Sequence, residues 1–208
     1  MTLSLRERRR LATAREIQLA TLKLAVQHGL EAVTTEEIAA AAGISTRTFF
    51  NYFPNKEAAA IGAPSAFREK DMTALRDGTG PLASDIKLFL DRHVEVLTGE
   101  EPFLRMIGTI LRSNEKARGI LEGSQSQARH ELAECLCGRV HDRQAAAALA
   151  SSTIDAITRA IFLWEHEDDL SLGAALEVTW AGVMGAARLM ATVSEQYPFD
   201  LPTASSSG

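Results

Sequence analysis

The segment Thr34-Thr35-Glu36-Glu37-Ile38-Ala39-Ala40-Ala41-Ala42-Gly43-Ile44-Ser45-Thr46-Arg47-Thr48-Phe49-Phe50-Asn51-Tyr52-Phe53-Pro54-Asn55-Lys56-Glu57 leaves a folding chain few choices. Thr34 followed three residues later by Glu37 is a capping box, so a helix starts there. Its apolar side is Ile38, Ala39, Ala41 and Ala42. Ala42 is small enough for a close helix crossing, Gly43 supplies the turn conformation, and Ile44 plugs the corner. Ser45 caps a second helix, Thr46 to Tyr52, which Pro54 closes. Asn55 caps a further helix beginning at Lys56 and Glu57. Two short helices locked across a tight turn form a helix-turn-helix, whose second helix enters the major groove of DNA by its N-terminal end.

The flanking sequence supports a helical head. A first helix from about Ser4 to His28 carries the stripe Leu11, Ala14, Ile17, Ala20, Thr21, Leu24 and Ala25, at spacings of three and four. Gly29 stops it as a C-terminal cap, and Leu30 and Val33 pack back on the core. Beyond the head, Gly62 and Pro64 break the chain and Asp77-Gly78-Thr79-Gly80-Pro81 is a loop. Helices are predicted over Leu82–Leu97, Glu101–Arg112, Lys116–Val140, Arg143–Glu165 and Leu170–Val193. Strand-like alternation is absent, so the fold class is all-α, about nine helices. Residues 1–62 are expected to form a helix-turn-helix DNA-binding domain, 63–197 a helical ligand-binding and dimerisation domain, and 198–208 a flexible, Pro/Ser/Thr-rich tail.

Charge follows the same division. The formal net charge is -5, which is wrong for a uniform nucleic-acid binder. From Met1 to Lys56, however, eight Lys/Arg face five Asp/Glu, whereas the remainder holds fourteen and twenty-two. A basic head on an acidic body docks on phosphate at one end only. On the second helix, Arg47 offers a fork that matches guanine O6 and N7. Ser45, Thr46 and Thr48 bring hydroxyls to a helix N-terminus, where anions are favoured. Asn51 suits an adenine or a phosphate, and Tyr52 a phosphate oxygen. Thr35 points its hydroxyl and amide at the same backbone, and Lys56 adds one phosphate contact. Phe49 and Phe53 lock the helix onto the first one. Arg8, Arg9 and Arg10, with Arg6 and Arg15, make a basic arm. It is either a solvated helix start or an arm laid along the adjacent groove or backbone. Arginines at a helix N-terminus oppose the macrodipole, a cost that DNA would offset.

This segment strongly resembles the heads of the TetR family of bacterial transcriptional regulators. They share the Thr, then Ile-Ala, then Ala-Gly-Val/Ile-Ser, then an aromatic-rich recognition helix ending in Phe and followed by Lys-Glu. The match covers about Ile17 to Ala59, while the body fits only in its length and helical character. Two residues depart: the family most often has Gly at the position of Arg47 and Tyr at that of Phe50, so the phosphate contact of that tyrosine is not carried over. The run Arg47-Thr48-Phe49-Phe50-Asn51-Tyr52-Phe53 looks like that of an actinobacterial subgroup, some of whose members are similar to regulators answering acyl-CoA or other lipophilic ligands. The resemblance implies a homodimeric repressor on a palindromic double-stranded operator, released when a small-molecule effector shifts the fourth helix near Lys56–Gly62.

One recognition helix reads too few bases for genomic specificity, and two heads on a two-fold axis solve this. The last two long helices carry small and apolar residues fit for close approach: Ala148, Ser152, Asp155, Ala156, Arg159 and Ala160, then Ala175, Trp180, Val183, Met184, Ala187 and Ala191. They are either the dimer contact or the monomer core. Candidate pocket residues are Phe89, His93, Phe103, Met106, Ile110, Phe162, Trp164 and Trp180.

Other classes find little support. There is no G-x-S-x-G, P-loop, HExxH or dinucleotide-binding glycine pattern, so no enzyme is expected. His28, His93, His130, His141 and His166 lack partner spacing. Glu165-His166-Glu167-Asp168-Asp169 lacks the turn glycine of an oxygen-ligand loop. Cys135 and Cys137 are expected reduced, too close along one helix to bridge. Neither metal nor cofactor is expected. No uninterrupted apolar run of membrane-spanning length or secretory signal is present, so no membrane association is expected, and the compartment expected is the bacterial cytoplasm, at the nucleoid when DNA-bound. A structural helical adaptor would not need the basic head, and an activator could use the same one.

Overall fold

A computed structural model describes residues 4–63 and 67–196. Ten α-helices and one 3-10 turn make up the described residues, which contain no strand. The head consists of α1 (Leu5–His28), the 3-10 turn Leu30–Ala32, α2 (Thr35–Ala41), α3 (Thr46–Tyr52) and α4 (Lys56–Ile61). The body consists of α5 (Glu69–Asp77), α6 (Leu82–Thr98), α7 (Glu101–Ser113), α8 (Glu115–Leu136), α9 (Arg143–His166) and α10 (Leu172–Gln196). The expected tail at 198–208 and the break at Pro64 lie outside the described residues.

The punctuation acts as its chemistry dictates. The Thr34 hydroxyl accepts from the Glu37 amide while the Glu37 carboxylate accepts from the Thr34 amide, completing the capping box. Gly43 sits at φ 67, the left-handed region that the turn requires. Ser45 accepts from the Thr48 amide and Asn55 from the Ala58 amide. At the start of α1, Ser4 and Glu7 form a second capping box. It places a carboxylate beside the basic arm and offsets the opposed macrodipole.

The first helix differs from expectation in having two apolar faces rather than one. Ile17 and the half-buried Leu24 join Val33, Ile38, Ala39, Phe49 and Ala59 in the head core, with Phe49 fully buried at its centre. Leu22 and Ala25 instead join Leu30, Ala60, Ile61, Ile110 and Ala117 in a second core between head and body. Leu11 is 55% exposed, because α1 runs on past both cores towards its basic end. Ala41 is also exposed, as α2 is too short to bury a full stripe.

The body packs α6, α8, α9 and α10 around Leu90, Leu132, Leu136, Ala150, Leu172 and Leu176. By length and composition α9 could cross a bilayer, but its apolar side (Ala146, Ala150, Ile154 and Ile157) is buried in this core. The sequence gives no strong sign of α5, whose apolar residues are few and whose Asp71 is buried by bonds to Arg68 and Arg92. α8 stops at Leu136, short of Val140. There Arg139 folds back to donate to Asp85 (2.6 Å) and to the Gly80 carbonyl (2.6 Å), pinning the glycine loop. The small residues of the last two helices divide. Ala156, Ala160 and Ala175 are buried within the chain, whereas Ala148, Ser152, Asp155 and Arg159 are exposed.

Phe49→Ala empties the middle of the head core and is expected to cost about 3–5 kcal/mol. Urea unfolding followed by circular dichroism measures the loss.

Candidate nucleic-acid interface and interior cavity

The outer face of α3 presents Arg47, Phe50 and Asn51 to solvent, while Phe49 and Phe53 turn inward with ring centroids 6.3 Å apart. Arg47 makes no hydrogen bond or ion pair among the described residues, so its guanidinium fork is open to a base edge or phosphate. Ser45 and Thr48 hydroxyls lie 2.8 Å apart and bond each other, each keeping spare capacity. Thr46 and Tyr52 are half-buried. The Thr35 hydroxyl donates to the Glu36 carboxylate at 3.1 Å. Beside this face, Arg6, Arg9 and Arg10 from α1 border a cleft shared with Thr48, Asn51 and Tyr52. Arg8 is exposed but does not line it.

Lys56 has a structural part beside the phosphate contact expected of it. Its ammonium donates to the carbonyls of Glu31 (2.9 Å) and Val33 (3.0 Å), tying α4 to the end of the 3-10 turn. Three donors can serve both carbonyls and still leave one, but the group's position is fixed by the fold.

At the junction with the body lies a cavity of about 350 Å³, in the range of small-molecule sites. Three of the expected residues line it: His93, Phe103 and Phe162. Phe89 and Trp164 are 3% exposed in the body core, and the half-buried Trp180 packs against that core. Ile110 and Met106 belong to the junction core. The larger part of the wall comes from Ile107, Gly108 and Leu111 on α7, Leu121, Ser124, Gln125 and Ala128 on α8, and Ile154, Ile157, Thr158 and Ile161 on α9. Their helical spacing reads equally as core, and nothing in the sequence marks which interior is hollow.

The head supplies part of the same wall. Arg15 pairs with Glu100 across the junction and lays its guanidinium over Phe103, 3.3 Å from the ring centroid. One turn on, the buried Gln18 donates its amide to the carbonyls of Ile61 (3.0 Å) and Ala60 (3.4 Å) at the end of α4. Gly62 follows at φ 70, and a Cβ there would overlap the Gln18 amide. The bond between α1 and α4 therefore needs glycine twice over, for its backbone and for its missing side chain. At the other side, burial pushes the Glu165 carboxyl up from its usual range, with Arg112, His166 and Arg105 opposing. His93 meets Phe67 edge-on at 4.8 Å, and burial, aided by Arg68, holds its pKa down at about 4. No group of three or more His, Cys, Asp or Glu suited to a metal occurs among the described residues.

Residues 17–59 match the family model of bacterial regulatory proteins, tetR family. The match spans the head alone, whose helix-turn-helix is of the tetR type. Solved structures with the same fold extend the likeness over the body. They include the fatty acid degradation regulator FadR of Bacillus halodurans, 22% identical, with a TM-score of 0.53 over 81% of this chain and 93% of that one. A Syntrophomonas wolfei protein assigned to the TetR family is 14% identical, with a TM-score of 0.59 over 82% and 92%. A Clostridium perfringens protein assigned to fatty acid metabolism regulation is 18% identical, with a TM-score of 0.53 over 79% and 94%. No curated protein matches the chain significantly. The matched head is thus that of a bacterial transcriptional regulator.

The depressed His93 pKa has a sign that can be checked. Unfolded, this imidazole takes a proton near pH 6.5, while folded it resists until about 4. Its contribution to stability is full above 6.5 and is lost as pH falls towards 4, because the unfolded state then binds more protons. His93→Gln is expected to flatten the fall in urea midpoint across that interval.

Proposed function

We propose that the chain is a ligand-released repressor: a homodimer that binds a palindromic operator and lets go when a lipophilic effector, such as a long-chain acyl-CoA-like molecule, fills the junction cavity. The observation that carries this reading is Gln18, which lines the cavity and also binds the last carbonyls of α4. An effector that repositions Gln18 or Arg15 acts directly on the two helices that carry the head, and so on the spacing of two recognition helices. Residues 1–62 serve as the DNA-binding domain and 63–197 as the effector and dimerisation domain. The protein works in the bacterial cytoplasm, at the nucleoid when bound to DNA, and has no catalytic role.

Arg47 reads a base, with Asn51 beside it. Ser45, Thr46, Thr48, Tyr52 and Thr35 meet the backbone, and Arg8, Arg9 and Arg10 follow the strand. The dimer forms on α9 and α10. Ala174, Val178, Ala181 and Gly182 of α10 recur on one exposed face at helical spacing, small enough for two helices to approach closely.

Operator sequences are recovered by selection from random duplexes and titrated by fluorescence anisotropy. Arg47→Ala is expected to weaken operator binding by about 1–3 kcal/mol, with little change on scrambled DNA. Equal operator affinity in the variant and the parent would remove Arg47 from base reading.

A further inference from the structure

Two local costs meet on the cavity wall. Gly108 lies in the interior of α7, where glycine is a poorer helix former than alanine. The half-buried Glu165 carboxylate, from α9, lies over it, and a Cβ on Gly108 would overlap that carboxylate. The glycine therefore makes a notch that admits Glu165 to the cavity.

Within the notch Glu165 has no hydrogen bond and no ion pair among the described residues, and its carboxylate is only partly shielded from solvent. The nearby cations are otherwise engaged. Arg105 lies over the Trp164 ring at 4.2 Å, and Arg112 donates to the Thr109 hydroxyl at 3.0 Å. His166 bonds the Phe162 carbonyl through Nδ1 at 2.8 Å. Elsewhere on the wall, the one guanidinium, Arg15, is held by Glu100, and burial disfavours the charged form of His93. Arg105, Arg112 and His166 still favour the ionised form of Glu165 from a distance, opposing its burial. A partly desolvated carboxylate without a donor is unfavourable, and a charged hydrogen bond from a ligand removes that penalty.

We infer that the cavity takes an amphiphile with a protonated amine, its ammonium on Glu165 in the Gly108 notch and its apolar body along α7, α8 and α9. The inference rests on the reading of a lipophilic effector, and gives it an amine as its polar end in place of an acyl-CoA-like one. A carboxylate or a phosphate placed there would meet Glu165 with no unengaged cation on the wall.

The test is calorimetric titration of the full chain, below the micelle threshold, with four probes sharing a twelve-carbon tail: dodecylamine, 1-dodecanol, laurate and lauroyl-CoA. Dodecylamine is expected to bind about tenfold or more tighter than dodecanol, and laurate more weakly than both. Glu165→Gln is expected to abolish the preference for the amine over dodecanol. Gly108→Ala, which favours the helix but closes the notch, is expected to reduce the preference without lowering the melting temperature. Laurate or lauroyl-CoA binding as tightly as the amine, or an amine preference that survives in Glu165→Gln, would overturn the inference while leaving a lipophilic effector in place. If none of the four probes binds, the effector reading falls as well.

Discussion

Helix α1 is packed from both sides, and the rest of the molecule depends on that arrangement. Ile17 belongs to the head core and Leu22 to the junction core, and between them Gln18 reaches the carbonyls that end α4. A helix fixed on opposite faces moves as a rigid bar, because close-packed cores shift between discrete arrangements rather than deform smoothly. Any force on its body-facing side is therefore felt by α2 and α3, which rest on the other side. Arg15 and Gln18 are one turn apart on the cavity side of the bar, so the hollow interior and the exposed face of α3 share a single mechanical element.

The head was legible because its residues are chosen by backbone rules. Thr34, Gly43, Ser45, Pro54 and Asn55 each have a local conformational reason to be where they are, and every boundary they imply is present. The structural part of Lys56 is not legible, because a lysine at a helix start gives no sign of two carbonyls waiting for it from the preceding turn. The second face of α1 was missed for a related reason: a helix with two partners has no single stripe, so Leu22 looks out of phase.

The cavity was legible only in its aromatic and histidine members. His93, Phe103 and Phe162 stand out by type, but Phe89 and Trp164 stand out equally and fill the core instead. Whether an apolar helix position faces a neighbour or a void depends on how far apart the helix axes lie, which periodicity does not encode. Gly108, inside an otherwise favourable helix, is not by itself a mark of the hollow, since Gly119 and Gly123 also lie within α8. Paired with the Glu165 carboxylate and the neutral His93 imidazole, it shows a chain accepting local costs around one volume, as proteins do at working sites.

The central claim, that the occupied cavity and the DNA-bound head exclude each other through α1, can be tested without knowing the effector. Ser124 faces the cavity from α8, and Ser124→Trp would put a large ring where an effector would sit. Operator affinity of this variant, measured by anisotropy beside its melting temperature, is the decisive quantity. The account predicts a melting temperature close to the parent's and an operator affinity reduced about 5- to 150-fold, the usual span of allosteric coupling. A stably folded Ser124→Trp protein that binds its operator as tightly as the parent would contradict it.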